Sequence, residues 1–100
     1  MAVWEVAQLA VPDADREKFR SIFQEHLPLM RDDEGCLDVK LLEPVEREGL
    51  VLVWILWKSQ EYHTQVFTKT EGFAKFIGAI TPFFTAPAQS FHATVAIDGF

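Results

Sequence analysis

Residues Leu50–Trp57 read LVLVWILW, eight apolar side chains with no polar interruption. The run is far short of the roughly 20 apolar residues that carry a helix across a bilayer. Its Val, Ile, Leu and Trp content predicts a strand. A strand that is apolar on alternate and intervening positions alike has to be covered on both faces. The chain has 100 residues, which is one domain, residues 1–100, with one modest core. The remaining sequence must therefore supply a cover for one face, and something else must supply the other.

The first cover is legible along the chain. VWEVAQLAV predicts a strand that stops at Pro12, and Asp13 or Asp15 then predicts a helix N-cap. Phe19, Ile22, Phe23, Leu27 and Met30 recur at spacings of three and four, a helix to about Arg31 with a kink at Pro28. RDDEG is a turn, CLDVKLLEPV a second strand, and EREG, with Gly49, the turn of a hairpin into LVLVWILW. Ser59 is placed to cap a short helix, QEYHTQVFT. Thr70 is placed to cap another, with an apolar stripe of Phe73, Phe76, Ile77 and Ile80. QSFHATVAI predicts a last strand, with Phe91, Ala93, Val95 and Ile97 on one side and His92, Thr94 and Ala96 on the other.

This order predicts an α+β chain: a ferredoxin-like split βαβ sandwich, with a four-stranded antiparallel sheet carrying its helices on one face. The sheet's other face has no sequence left to cover it. A second copy, packed sheet to sheet in a symmetric homodimer, is the expected partner. Strand parity puts Trp54 on that outer face, opposite Trp57.

Charge removes several classes of function. The net charge is −6, the pI about 4.9, and the nine Lys and Arg are scattered, so neither nucleic acid nor an anionic membrane surface is an expected partner. A lone Cys36 staples nothing, and the first residues lack the basic region of a signal peptide. The expected setting is the cytoplasm. Hydrophobic residues make up 49% of the chain and nine are Phe, more apolar surface than a small core hides. This favours an apolar ligand cavity besides the partner surface.

Three segments carry a resemblance: DEGCLDVKLLEP (Asp33–Pro44), VLVWILWKSQEY (Val51–Tyr62) and EGFAKFIGAITPFF (Glu71–Phe84). In that order the chain resembles the antibiotic biosynthesis monooxygenase family of dimeric α+β barrel proteins. The resemblance implies a homodimer with a pocket between sheet and helices in each subunit. It implies no flavin, haem cofactor or metal. It also implies oxidation of an electron-rich aromatic, quinol-like or polyketide-like molecule by O2. The protein would contribute shape, proton handling and a dry site. The chain departs from the family at a helix His, where Val66 and Phe67 stand, and at a second His position taken by Glu71 and Gly72. Ala7 stands near the first-strand Asn of the haem-degrading branch, which is disfavoured.

Candidate site residues follow. Trp57, the family's strand-end Trp, would stack on a flat ring and offer one N–H. His63 and His92 are the candidate proton acceptors, with Thr94 beside His92. Tyr62 is a candidate donor to a phenolate, and Phe67, Phe73, Phe76, Ile77 and Ile80, with Phe83 and Phe84, are candidate pocket walls for a small apolar or aromatic ligand. Glu5 is a weaker base candidate, expected at an exposed strand edge, and Gln8 is unmarked. His26 reads as a helix-boundary residue and Cys36 as an unreactive thiol in acidic surroundings. The histidines lie too far apart in sequence to suggest a metal set. Alternatives are a non-catalytic binding protein of the same fold, or an isomerase or lyase that moves a proton without oxygen.

Overall fold

In the computed structural model, which describes residues 1–100, four strands form one antiparallel sheet. They are β1 (Val3–Leu9), β2 (Cys36–Leu42), β3 (Val51–Trp57) and β4 (Gln89–Ala93). Their spatial order is β2-β3-β1-β4, the split βαβ order expected from the sequence. Helices α1 (Arg16–His26), α2 (Pro28–Arg31) and α3 (Glu71–Ile80) pack on one face. The chain breaks between α1 and α2 at Leu27–Pro28, where proline removes a helix hydrogen bond. No helix is long and apolar enough to cross a membrane.

β3 lies between β1 and β2 and alternates sharply in burial. Val51, Val53, Ile55 and Trp57 are buried against the helices. Leu52, Trp54 and Leu56 point the other way. The outer face also carries Trp4 and Val6 of β1 and Phe91 of β4, by register. Trp54 is 38% exposed and Phe91 55% exposed. Trp4 and Trp54 meet edge to face at 6.0 Å. The helix side is closed by aromatic contacts, such as Phe23 of α1 on Phe76 of α3 at 5.5 Å.

Three local expectations change. Asp15 holds the N-cap position of α1 without a side-chain cap bond. Asp13 instead accepts the Gly49 N–H at 2.9 Å and pairs with Arg16 at 3.2 Å, tying the helix start to the hairpin turn. Gly49 itself has φ +70°, a conformation that favours glycine. The segment after β3 is capped as expected, with Ser59 Oγ accepting the Tyr62 N–H, but it is no regular α-helix. It forms a π-helical turn over Tyr62–Val66 and a 3₁₀ turn over Phe67–Lys69. Thr70 does cap α3, accepting the Phe73 N–H. Finally, β4 ends at Ala93 instead of continuing to Ile97. Its only neighbour is β1, whose Trp4 already pairs Ala93, so the chain beyond has almost no backbone left to pair with. Thr94, Val95 and Ile97 are exposed.

Gly35 fixes the start of the π-helical turn. A Cβ at this position would stand 2.0 Å from Tyr62 Cε1. The Tyr62 hydroxyl is anchored on Asp33 Oδ1 at 2.5 Å, which also accepts the Gly35 N–H at 2.9 Å. The ring therefore cannot move aside without losing that bond. Gly35→Ala is expected to destabilise by about 1–3 kcal/mol, the usual range for overpacking, as read by urea midpoint. In a Tyr62→Ala background the same change should have little effect; equal losses in both backgrounds would rule out the clash as the cause.

Candidate functional site

β1 is central, so its helix-facing positions Val3, Glu5, Ala7 and Leu9 lie in the floor beneath the helices. Glu5 is the one charged residue in that row. Its side chain is 14% exposed, which corrects the expectation of an exposed strand edge: β4 covers that side of β1. The register sets Glu5 opposite His92 on β4 and Ile55 on β3. His63 comes down from the π-helical turn onto the same spot. A π-turn widens the helix and re-aims side chains, a device common at functional sites.

These groups form one continuous line of polar contacts. Trp57 Nε1 donates to Glu5 Oε1 at 3.0 Å. His63 Nε2 lies 3.3 Å from the same oxygen, and His63 Nδ1 lies 2.7 Å from His92 Nε2. The imidazole of His63 stacks flat on Trp57, with centroids 4.8 Å apart and planes 7° from parallel. Burial holds the His63 pKa below its ordinary 6.5. The facing His92 adds to that, and Glu5 opposes it. His63 is thus neutral near pH 7. Its two nitrogens serve two different partners, so the three groups make a line and not a convergent ligand set.

The depressed pKa has a consequence for stability. The unfolded chain binds this proton more readily than the folded one. The group's contribution is therefore complete above about pH 6.5 and is lost as pH falls through the lower folded value. The urea midpoint should drop between about pH 7 and pH 5. His63→Phe should make the drop shallower, while an unchanged slope would exonerate His63.

Beside this cluster is a cavity of about 280 Å³, lined by 17 residues, 13 of them hydrophobic. That is near the lower end of typical ligand sites, roughly 300–1,000 Å³. The walls include Phe67, Phe73, Phe76, Ile77, Ile80 and Phe84, six of the seven expected wall residues; Phe83 packs on Phe19 instead. Ala7 and Ser90, small residues opposite each other in register, leave the floor open. Glu5 and His63 are its polar end, with Thr68 and Ser90 the other polar members.

Three expected site residues are placed differently. Tyr62 lies outside the cavity wall, turned toward Asp33, and that hydrogen bond raises its pKa to about 12. Trp57 borders the cavity but is fully buried, and the ring expected to stack on a ligand is already stacked by His63. His92 reaches the cavity only through His63. Cys36 is raised to about 11, chiefly by burial, with Asp33, Asp38 and Glu5 adding to it. His26 bonds the Ile22 carbonyl at 2.8 Å, within its own helix. Glu5, expected only as a weaker base candidate, stands at the centre of the cluster. Its signal was its parity with Val3, Ala7 and Leu9, a carboxylate in an otherwise apolar row.

Residues 2–79 match the family model of the antibiotic biosynthesis monooxygenases. The chain belongs to that family. Solved structures agree on the fold of this family member. A candidate antibiotic biosynthesis monooxygenase from Bordetella bronchiseptica superposes with a TM-score of 0.89 at 20% identity, covering 96% of this chain and 98% of that one. Another from Caulobacter crescentus gives 0.80 at 21% identity, over 96% and 91%. A variant of SnoaB, a cofactor-independent oxygenase from Streptomyces nogalater, gives 0.80 at 17% identity, over 98% and 96%. No match to a curated protein was found.

Proposed function

We propose that this antibiotic biosynthesis monooxygenase family member is a cofactor-independent monooxygenase acting on a compact aromatic, quinol-like or polyketide-like molecule. The observation that carries the reading is an apolar cavity whose polar end is a carboxylate, hydrogen-bonded by Trp57 and set 3.3 Å from a neutral imidazole. The apolar walls suit a flat ring system. The polar end suits removal of one acidic proton from it. The resulting anion gives its electron pair to O2, forming a C–O bond, and the peroxide takes a proton back. Loss of the second C–H proton with hydroxide yields the ketone and one water. The ring carbon is oxidised and O2 reduced, with no added cofactor, and the excluded water protects the anion. Family membership and the oxygenase function of the SnoaB neighbour support this reading.

The test is oxygen uptake by the purified protein with hydroquinones and anthrones, no cofactor added. Uptake above the spontaneous rate is expected. None across the panel, in a protein whose Trp fluorescence responds to those compounds, favours a non-catalytic binding protein. One observation favours that second reading: Phe67 lies in the cavity wall near where the family resemblance places a His, so that position offers the ligand no polar anchor.

We further propose a homodimer through the outer sheet face. The apolar Trp4, Val6, Trp54 and Phe91 side chains there support it, since large apolar patches mark interfaces. Trp54→Lys is expected to shift sedimentation from dimer to monomer; a wild-type monomer at micromolar concentration rules the dimer out.

A further inference from the structure

We propose that Glu5, and neither histidine, is the proton acceptor of this site, with Oε2 as the accepting atom. The choice of a carbon acid as its substrate rests on the monooxygenase reading above. The argument is one of which lone pairs are free. A carboxylate oxygen only accepts, so the His63 nitrogen facing Glu5, Nε2, carries the imidazole proton. Neutral His63 then has a single acceptor, Nδ1, and the His92 Nε2–H fills it at 2.7 Å. Both ring nitrogens of His63 are committed, and His92 is not in the cavity wall. Glu5 differs. Its Oε1 receives the Trp57 N–H at 3.0 Å and has His63 Nε2 3.3 Å away, whereas Oε2 takes no hydrogen bond from the protein. Glu5 is in the cavity wall.

Trp57, His63 and His92 are accordingly positioning residues. The Trp57 N–H on Oε1, with the His63 ring 3.3 Å from the same oxygen, fixes the carboxylate's rotation and leaves the other oxygen for the ligand. The π-helical turn and the Trp57–His63 stack hold His63 against that oxygen. In the step itself the substrate C–H bond breaks and an O–H bond forms at Oε2. The electron pair stays on the substrate carbon, delocalised onto its carbonyl oxygen. Nothing is oxidised until O2 reacts, so the proton step can be observed alone.

The experiment is anaerobic exchange of the anthrone methylene protons in D2O, followed by NMR with the full chain. Oxygen uptake with anthrone in air is measured in parallel, and anthrone binding is read from Trp fluorescence. Wild type should exchange faster than buffer. Glu5→Gln keeps an oxygen for Trp57 and His63 but cannot accept the proton. Its exchange should fall by roughly 10²–10⁴-fold, the usual contribution of a general base, with binding unchanged. Glu5→Asp, which retains the carboxylate, should recover part of the loss. His63→Phe removes the imidazole beside Oε1 and leaves the base; its rate at saturating anthrone should fall by less than that of Glu5→Gln. Equal exchange by wild type and Glu5→Gln overturns the proposal, as does a His63→Phe rate below that of Glu5→Gln, or no wild-type exchange above buffer. Exchange without oxygen uptake keeps Glu5 as the base and removes the oxygenase reading. Oxygen uptake that survives in Glu5→Gln removes Glu5 and keeps the oxygenase.

Discussion

Trp57→Ala is expected to destabilise the fold by about 3–5 kcal/mol, the range for truncating a buried aromatic. Trp57 is fully buried at the end of β3 and packs against both His63 and Phe67, at 4.8 and 4.7 Å between centroids. Truncation leaves a void under the π-helical turn and removes the stack that seats His63. It also removes the Nε1–H donor to Glu5, leaving a part-buried carboxylate with fewer partners. A domain of this size has only about 5–15 kcal/mol of stability in total, so the variant should be near unfolding at 37 °C. Trp57→Phe separates the two effects. It keeps much of the packing and loses only the donor, so its urea midpoint should fall far less than that of Trp57→Ala. A Trp57→Ala midpoint close to wild type would show that the site can collapse around the void.

Ala7→Leu is expected to abolish ligand binding without harming the fold. Ala7 lies in the cavity floor, paired with Val53 on one side and Ser90 on the other. Both neighbours are too small to fill the space above them. A Leu side chain there would occupy part of the 280 Å³ now open to a ligand. Its burial is favourable by roughly 1.5–3 kcal/mol, so the melting temperature should hold or rise. Each 1.4 kcal/mol of lost binding weakens affinity about tenfold, and displacement of even one ring from the cavity exceeds that. Fluorescence titration with the compounds that bind wild type checks the result. Unchanged affinity with a raised melting temperature would place the ligand elsewhere.

Much of this site was legible before folding. Phe73, Phe76, Ile77 and Ile80 follow from helical spacing alone, because a stripe of three and four must face the sheet. His63 and His92 stand out because imidazole is the side chain that ordinarily titrates near neutrality. That the two rings touch was not legible, since they come from a helical turn and a strand 29 residues apart in sequence. Tyr62 shows the opposite limit. It is adjacent to His63, yet Gly35 leaves room for its ring on the far side, and Asp33 draws the hydroxyl away from the cavity.

Glu5 marks the boundary between the two kinds of information. Sequence parity determines that Glu5 shares a face with Val3, Ala7 and Leu9, because side chains alternate along any strand. Likewise, the unbroken LVLVWILW run determines a strand that no single layer of helices can satisfy. Whether β1 is an edge or the centre is not in its own residues. It depends on which strands dock on either side, and those are distant in sequence: β3 pairs Glu5 with Ile55 and β4 pairs it with His92. Only that docking turns a carboxylate that reads as exposed into one held by Trp57 beside His63 in the floor of an apolar cavity. Local patterning is written residue by residue, whereas burial and hydrogen-bond partners are set by the long-range pairing of the strands.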